Sequence, residues 1–131
     1  MPRFVVLHHL APPAGPRETH WDLMLEQDGK LETWALPAPL TPNSTQPGQR
    51  LANHRIRYLD YEGPISDNRG SVKRWDWGTY VLLNSSPNLR DVQLSGQQQT
   101  VHLVLRRDEA DSEIWSIRCG TAAEPTQPDC S

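Results

Sequence analysis

Over most of the chain, hydrophobic and polar residues alternate with a period of two. Short alternating runs are separated by clusters of Gly, Pro, Asn, Asp and Ser, a pattern typical of β-strands joined by turns. We predict strands over residues 3–9, 19–27, 30–36, 54–61, 71–77, 79–83, 89–94, 100–107 and 113–118. Closing a sheet on itself removes its exposed edges. The pattern therefore predicts an all-β fold, a compact closed or nearly closed β-barrel of about eight strands.

Two dipeptides mark predicted joints between strands. Asp28-Gly29 lies between two alternating runs and suits a two-residue hairpin turn, because Gly readily adopts the positive φ that such turns require. Trp77-Gly78 predicts a second turn between two of the later strands.

Proline clusters predict two long loops. Residues 37–49 contain four prolines, which cannot donate a backbone N–H to a sheet, so we expect a surface loop there. Residues 11–17 contain three prolines and predict a second loop, which links two strands that carry histidines. Long loops in small domains often border binding sites.

A length of 131 residues suits a single domain. We assign this domain to residues 1–120 and expect residues 121–131 to form a flexible tail. No apolar run is long enough to span a bilayer, so we expect a cytoplasmic monomer without membrane attachment. Cys119 and Cys130 lack zinc-type spacing. We expect two free thiols, with a disulfide in the tail as the alternative.

The charge balance argues against a protein that coats DNA. Thirteen basic and sixteen acidic residues give a net charge of −3, so any contact with nucleic acid must be local. Basic residues outnumber acidic ones between positions 50 and 76, where the chain carries Arg50, Arg55, Arg57, Arg69, Lys73 and Arg74. This segment is either a solvated strand face or a local patch that contacts nucleic acid.

Alternation places a candidate metal site on the second predicted strand. His20 and Asp22 share one face with Met24, whereas the apolar set Trp21, Leu23 and Leu25 faces the core. His9 ends the preceding strand and supplies a third ligand if the two strands lie side by side. Two imidazoles and a carboxylate suit Mn²⁺, Fe²⁺ or Zn²⁺. The alternative is a satisfied surface pair.

The other histidines divide into two structural candidates and one functional candidate. His8 faces away from His9, and we interpret both His8 and His102 as structural. His54 and Tyr58 share one face if their segment is a strand. Such a pair could bind a phosphate or deliver a proton to a leaving oxygen. An ordinary edge strand, with the tyrosine ring packed against it, is the alternative.

Taken in order, several segments resemble the 3′-phosphoesterase domain of bacterial ligase D, which works in non-homologous end joining. The family's opening strand ends in a metal-ligand histidine, like the run from Phe4 to His9, and its His-Tyr-Asp-Phe-Arg-Leu-Glu run is similar to the run from His20 to Glu26. Further matches, in the same order, are Asp28-Gly29, Trp34-Ala-Leu-Pro37, Tyr61-Glu-Gly63 and Gly70-Ser-Val-Lys-Arg-Trp-Asp76-Trp-Gly-Thr79.

The resemblance implies a compact β-barrel and a set of site residues. It implies that Mn²⁺, or another divalent cation such as Zn²⁺, is bound by His9, His20 and Asp22. It implies that His54 and Tyr58 contact the phosphate. Arg50 is the nearest counterpart of a family arginine, and Arg55 or Arg57 could take that role instead.

The resemblance also implies a reaction and partners. Members remove a 3′-terminal ribonucleoside and then the remaining 3′-phosphate from a primer strand. We therefore expect a stand-alone phosphoesterase whose partners are the 3′ ends of DNA or RNA in a primer-template, with a separate ligase or polymerase.

Two departures from the family keep other functions open. Met24 replaces an arginine, and Ala38 replaces a lysine, so positive charge is lost where the family holds a phosphate. A binding module of the same fold, with weak or no catalysis, is therefore the main alternative to an active enzyme. A third hypothesis is a metal-dependent enzyme that acts on a small substrate, for instance an oxygenase that uses two histidines and a carboxylate.

Overall fold

A computed structural model describes residues 1–11, 19–65 and 69–121 of the chain. These residues form nine strands and a short 3₁₀ helix, with no α-helix among them. The strands are β1 (Arg3–Leu10), β2 (His20–Gln27), β3 (Lys30–Leu36), β4 (Ser44–Arg55), β5 (Gly63–Pro64), β6 (Ser71–Ser86), β7 (Leu89–Gly96), β8 (Thr100–Arg106) and β9 (Ile114–Thr121). The 3₁₀ helix spans Ile56–Leu59 and follows β4.

Eight of these strands form a closed ring. Neighbours are hydrogen-bonded in the order β1-β2-β3-β4-β9-β8-β7-β6, and β6 pairs with β1 to close the circle. The two-residue strand β5 pairs only with β6. Every pairing between neighbouring strands is antiparallel. The prediction of an all-β, closed or nearly closed fold of about eight strands is confirmed.

Alternate side chains of β1 belong to two separate hydrophobic clusters. Phe4 and Val6 point into the ring, where a cluster drawn from strands all around it includes Trp34. Val5 and Leu7 point outward. They belong to a second cluster, which lies between the outer face of the ring and the segment of the 3₁₀ helix. Its other buried members come from β2, β3, β6 and that segment, and they are Met24, Leu31, Val72 and Leu59.

The hairpin predicted at Asp28-Gly29 is confirmed. Asp28 has a φ of 52° and Gly29 a φ of 79°, and Gln27 pairs directly with Lys30 across the turn. Positive φ at both central residues is the signature of the two-residue turn that fits the twist of a hairpin.

The turn predicted at Trp77-Gly78 is wrong, because β6 runs without interruption from Ser71 to Ser86. Gly78 lies opposite Gly96 on β7, and a Cβ atom on Gly78 would collide with the carbonyl oxygen of Ser95. The glycine therefore permits a close approach of two strands, which is the other common reason for glycine inside a strand.

Two predictions around the proline-rich segment are also corrected. Residues 44–49 belong to β4 and are not part of a loop, although Pro47 lies among them. Over Ser44–Gly48 this strand pairs with β9 only, and such an edge tolerates a residue without an N–H. The strand predicted over residues 54–61 ends at Arg55, and the 3₁₀ helix follows it.

Two predicted features lie partly or wholly outside the described residues. Most of the loop predicted over residues 11–17 lies outside the described residues. Residues 122–131 of the predicted tail, including Cys130, also lie outside them. Cys119 is buried with a free thiol. The described part of the chain contains no helix that is both long enough and apolar enough to cross a membrane.

Candidate active site

The candidate site lies on the outer side of the ring, where β1 ends and β2 begins. His9 and His20 are direct partners across the two strands. The two strands therefore lie side by side, which brings the two imidazoles together. His20, Asp22 and Met24 alternate along β2 and all face one cavity of about 380 Å³. Val72 and Ile65 contribute to the other wall of this cavity.

The three predicted metal ligands converge in this cavity. Asp22 lies between the imidazoles, with 3.5 Å from its Oδ2 to His9 Nδ1 and 3.1 Å from its Oδ1 to His20 Nε2. One ligand atom from each of the three residues lies within 4.8 Å of the other two. The centroids of the two imidazole rings are 4.6 Å apart.

A backbone carbonyl orients the ring of His9 on the side opposite Asp22. His9 Nε2 lies 2.8 Å from the carbonyl oxygen of Arg69, and because a carbonyl can only accept, Nε2 carries the proton. In the neutral imidazole, Nδ1 then keeps its lone pair and faces Asp22. A second hydrogen bond of this kind is the usual support of a metal-binding histidine.

Asp22 is the most buried member of the group, with 4% of its surface exposed. Burial disfavours its charge, but the nearby imidazoles of His20 and His9 outweigh that cost and lower the pKa of the carboxyl group. Its Oδ1 has no assigned hydrogen bond among the described residues, although His20 Nε2 lies 3.1 Å away. A buried, ionised oxygen of this kind fits a cation bound between Asp22 and the imidazoles.

His54 and Tyr58 line the same cavity as the three candidate ligands. They were predicted to share a strand face, but His54 lies near the end of β4 and Tyr58 in the 3₁₀ helix. The two rings still meet edge to face, with centroids 5.8 Å apart. His54 Nδ1–H donates to the carbonyl of Ala52 over 2.9 Å, which leaves Nε2 as the nitrogen that can gain or lose a proton.

Arg50 is not among the described residues that line the cavity. Leu51 faces the cavity, so Arg50 projects to the other side of β4 and lies over the ring of Trp34 at 4.9 Å. Its guanidinium donates to the carbonyl of Leu51 at 2.6 Å and lies 3.7 Å from Glu32. This position does not bring Arg50 into the predicted phosphate site.

Arg55 and Arg57 lie next to the cavity, in a neighbouring groove. Arg69 lines both the cavity and that groove, and its role was not predicted separately from the rest of the basic segment. The glycine that follows Arg69 was the signal by which its position in the site could have been predicted. Gly70 has a φ of 95°, which fixes the backbone beside the Arg69 carbonyl.

Two histidines outside the site behave as predicted. His8 faces away from the ligand group and stacks on Trp21, with 4.5 Å between ring centroids and an interplanar angle of 2°. His102 pairs with Asp91, with 2.5 Å from its Nε2 to the carboxylate. Neither belongs to a group of three possible metal ligands within the described residues.

Fold and site together define a small all-β protein with a candidate divalent-metal centre in an outer cavity, a ligand set that hydrolases use widely. Comparison of the sequence with known families narrows this class. The chain belongs to the DNA ligase D 3′-phosphoesterase domain family, whose model matches residues 9–125. Membership places it among phosphoesterase domains and agrees with the resemblance found in the sequence.

Several multidomain relatives align with part of the chain. Multifunctional non-homologous end joining protein LigD of Mycobacterium bovis is 37% identical over 84 residues, which are 59% of this chain and 10% of that protein. The corresponding DNA repair protein of Mycobacterium tuberculosis gives the same values. LigD of Pseudomonas aeruginosa is 34% identical over 70 residues, 50% of this chain and 8% of that protein. The aligned region thus spans about a tenth of each relative.

Proposed function

We propose that this chain hydrolyses phosphate esters at the 3′ ends of DNA or RNA, in DNA repair by non-homologous end joining. The cation, Mn²⁺ or another such as Zn²⁺, would be held by His9, His20 and Asp22. The observation that carries the proposal is the meeting of three ligand atoms within 4.8 Å, in a cavity that His54 and Tyr58 also line. A ligase or polymerase would use the hydroxyl that the reaction leaves.

Different residues of the cavity would have different roles in hydrolysis. A bound divalent cation supplies positive charge to phosphate oxygens and makes water a better nucleophile. As water attacks phosphorus and releases a proton to solvent, the bond to the leaving oxygen breaks. That oxygen needs a proton, which the imidazolium form of His54 can deliver from Nε2. The hydroxyl of Tyr58 can donate a hydrogen bond to a phosphate oxygen.

The apolar part of the wall strengthens these interactions. Leu7, Met24, Leu51 and Val72 line the cavity beside the ligands, and Met24 and Val72 are almost fully buried. Charges interact more strongly where water is excluded. The wall therefore favours tight binding of one cation and one phosphate ester.

The direct test uses the purified full chain with Mn²⁺ and a labelled primer that ends in one ribonucleotide or in a 3′-phosphate. We expect a primer with a 3′-hydroxyl as product, and none from Asp22→Asn. Asp91→Asn is the matched control, because it removes a carboxylate that also pairs with a histidine but lies outside the cavity. Equal activity of Asp22→Asn and wild type, or activity unaffected by chelation, would contradict the proposal.

A second candidate is a nucleic-acid-binding module of the same fold without catalysis. Met24 favours it, because this apolar side chain lies in the cavity wall at the position where the resemblance implies an arginine. Removing a donor to transition-state charge commonly costs about 2 to 4 kcal/mol. The observation expected of this candidate is salt-sensitive binding to a primer-template with no product at saturating Mn²⁺.

A further inference from the structure

Two further concavities continue from the candidate site along the 3₁₀ helix. Tyr58 lines both of them as well as the main cavity. The first, which we name the arginine groove, measures about 400 Å³ and is lined by arginines 55, 57 and 69. The second, the aromatic recess, measures about 320 Å³ and is formed by Tyr58, Tyr61, Pro64 and Ile65, with Arg57 at its border.

The arginine groove has the opposite charge to the protein as a whole. The chain carries a net charge of −3, yet no described carboxylate lines this groove. Acidic residues of the same segment are engaged elsewhere. Asp60 lies 2.7 Å from the guanidinium of Arg3, and Glu62 accepts the backbone N–H of Arg74. The local field of the groove therefore favours an anion.

In the aromatic recess, one guanidinium group lies over both tyrosine rings. The guanidinium of Arg57 lies 5.5 Å from the ring centroid of Tyr58 and 5.0 Å from that of Tyr61. The two tyrosine rings meet edge to face at 5.8 Å. Aromatic rings interleaved with arginines stack unpaired bases in single-strand-binding proteins, while the cations neutralise the phosphates.

We propose that the arginine groove and the aromatic recess together bind unpaired nucleotides of the substrate strand next to its reacting 3′ end. Phosphates would lie along arginines 55, 57 and 69, and one base would stack in the recess against Tyr61 and Arg57. The identity of the strand rests on the proposed function, but the binding itself requires neither metal nor cleavage. The groove thus selects a frayed or single-stranded end over a fully paired one.

The test measures binding in the presence of a chelator, with a single-stranded oligonucleotide that carries the fluorescent base 2-aminopurine next to its 3′ end. We expect quenching when the wild-type protein binds, because a stacked 2-aminopurine loses fluorescence. Tyr61→Leu should abolish the quenching and weaken binding by about tenfold. Tyr61→Phe keeps the ring and should keep both signals.

The salt dependence tests the groove separately. Arg57→Met should reduce the slope of log affinity against log salt concentration by about 0.7, the contribution of one contact to a single-stranded phosphate. Arg118→Ala is the matched control, since Arg118 is exposed on β9 and lines neither concavity. Its slope should equal that of the wild type.

Three results would overturn this inference. The first is an oligonucleotide that is not quenched by the wild-type protein, and the second is equal quenching by Tyr61→Leu and wild type. The third is an acidic peptide that binds as tightly as an oligonucleotide of equal charge, because bases would then contribute nothing. Quenching without any Mn²⁺-dependent cleavage would refute the proposed function and leave the binding site standing, whereas cleavage without quenching would do the reverse.

Discussion

The described residues contain two groups in which a histidine lies next to an aspartate, and the two differ in what surrounds the carboxylate. On β7 and β8, His102 lies 2.5 Å from Asp91, and about a third of each side chain is exposed. On β1 and β2, Asp22 lies between His9 and His20 at 3.5 and 3.1 Å, with 6% of its side chain exposed. The first is a direct hydrogen bond in contact with solvent, and the second is a buried group with longer separations.

The difference shows what turns a histidine and an aspartate into a candidate metal site. The carboxylate of Asp91 is occupied by its single imidazole, and neither residue lines a cavity described above. In the group around Asp22, a second imidazole is present, Arg69 fixes the proton of His9 on the far nitrogen, and Asp22 Oδ1 lacks a hydrogen bond among the described residues. Three possible ligand atoms therefore meet around a buried carboxylate, within 4.8 Å of one another.

The largest expected effect separates the two groups by metal binding. His20→Ala should weaken Mn²⁺ binding by more than about 100-fold, because losing a ligand exceeds the cost of losing its support. His102→Ala should bind Mn²⁺ like the wild type. Isothermal titration calorimetry on both variants measures this contrast. An equal loss in the two variants, or none in either, would show that the two groups do not differ in metal binding.

The second prediction concerns the stability that the metal confers. At a free concentration of about 100 times Kd, a ligand that binds only the folded protein adds about 2.7 kcal/mol, which for a domain of this size raises Tm by about 10 °C. We expect that rise for wild type and for Asp91→Asn in a thermal melt with Mn²⁺. Asp22→Asn should melt at the same temperature with and without the cation.

Much of the fold and of the ligand group follows from local rules. Period-two alternation fixes which side chains share a face, so the common face of His20, Asp22 and Met24 and the opposite face of Leu23 could be predicted from residue order alone. The hairpin at Asp28-Gly29 follows from the φ that glycine permits. The pairing of β1 with β2 then brings His9 to His20.

The predictions that failed depended on long-range contacts. Pro47 lies in β4 because that part of the strand has a single partner, which residue order does not reveal. Gly78 resembles a turn residue until the carbonyl of Ser95 is known to lie against it. Arg50 has the side-chain charge expected of a phosphate contact, but the alternation of β4 turns it towards Trp34 and Glu32.

A third, smaller effect tests the carbonyl that supports His9. Gly70 has a φ of 95°, and a Cβ atom there would collide with the carbonyl oxygen of Leu10. Gly70→Ala should therefore shift the neighbouring Arg69 carbonyl and free the ring of His9. We expect Mn²⁺ affinity to fall by about 10- to 100-fold, the usual cost of losing an outer partner of a metal ligand.

Gly29→Ala is the matched control for Gly70→Ala. Gly29 also has a positive φ, at 79°, but a Cβ atom there would have no neighbour within 4 Å, and the residue lies in the β2–β3 turn. This variant should lose about 1 kcal/mol of stability through backbone strain and bind Mn²⁺ normally. If both glycine variants lost affinity equally, general destabilisation would explain the result and the Arg69 carbonyl would have no special role.

The smallest effect is expected at the pair of His102 and Asp91, despite its short separation. With side chains 36% and 28% exposed, both groups remain hydrated when the pair is broken, so the hydrogen bond to water largely replaces the one lost. Asp91→Asn should reduce the free energy of unfolding in urea by less than about 1 kcal/mol. A double-mutant cycle with His102→Gln isolates the pairwise coupling. A coupling well above that value would mean that a direct bond at the surface stabilises as much as burial, and the contrast with Asp22 would then rest on the second imidazole alone.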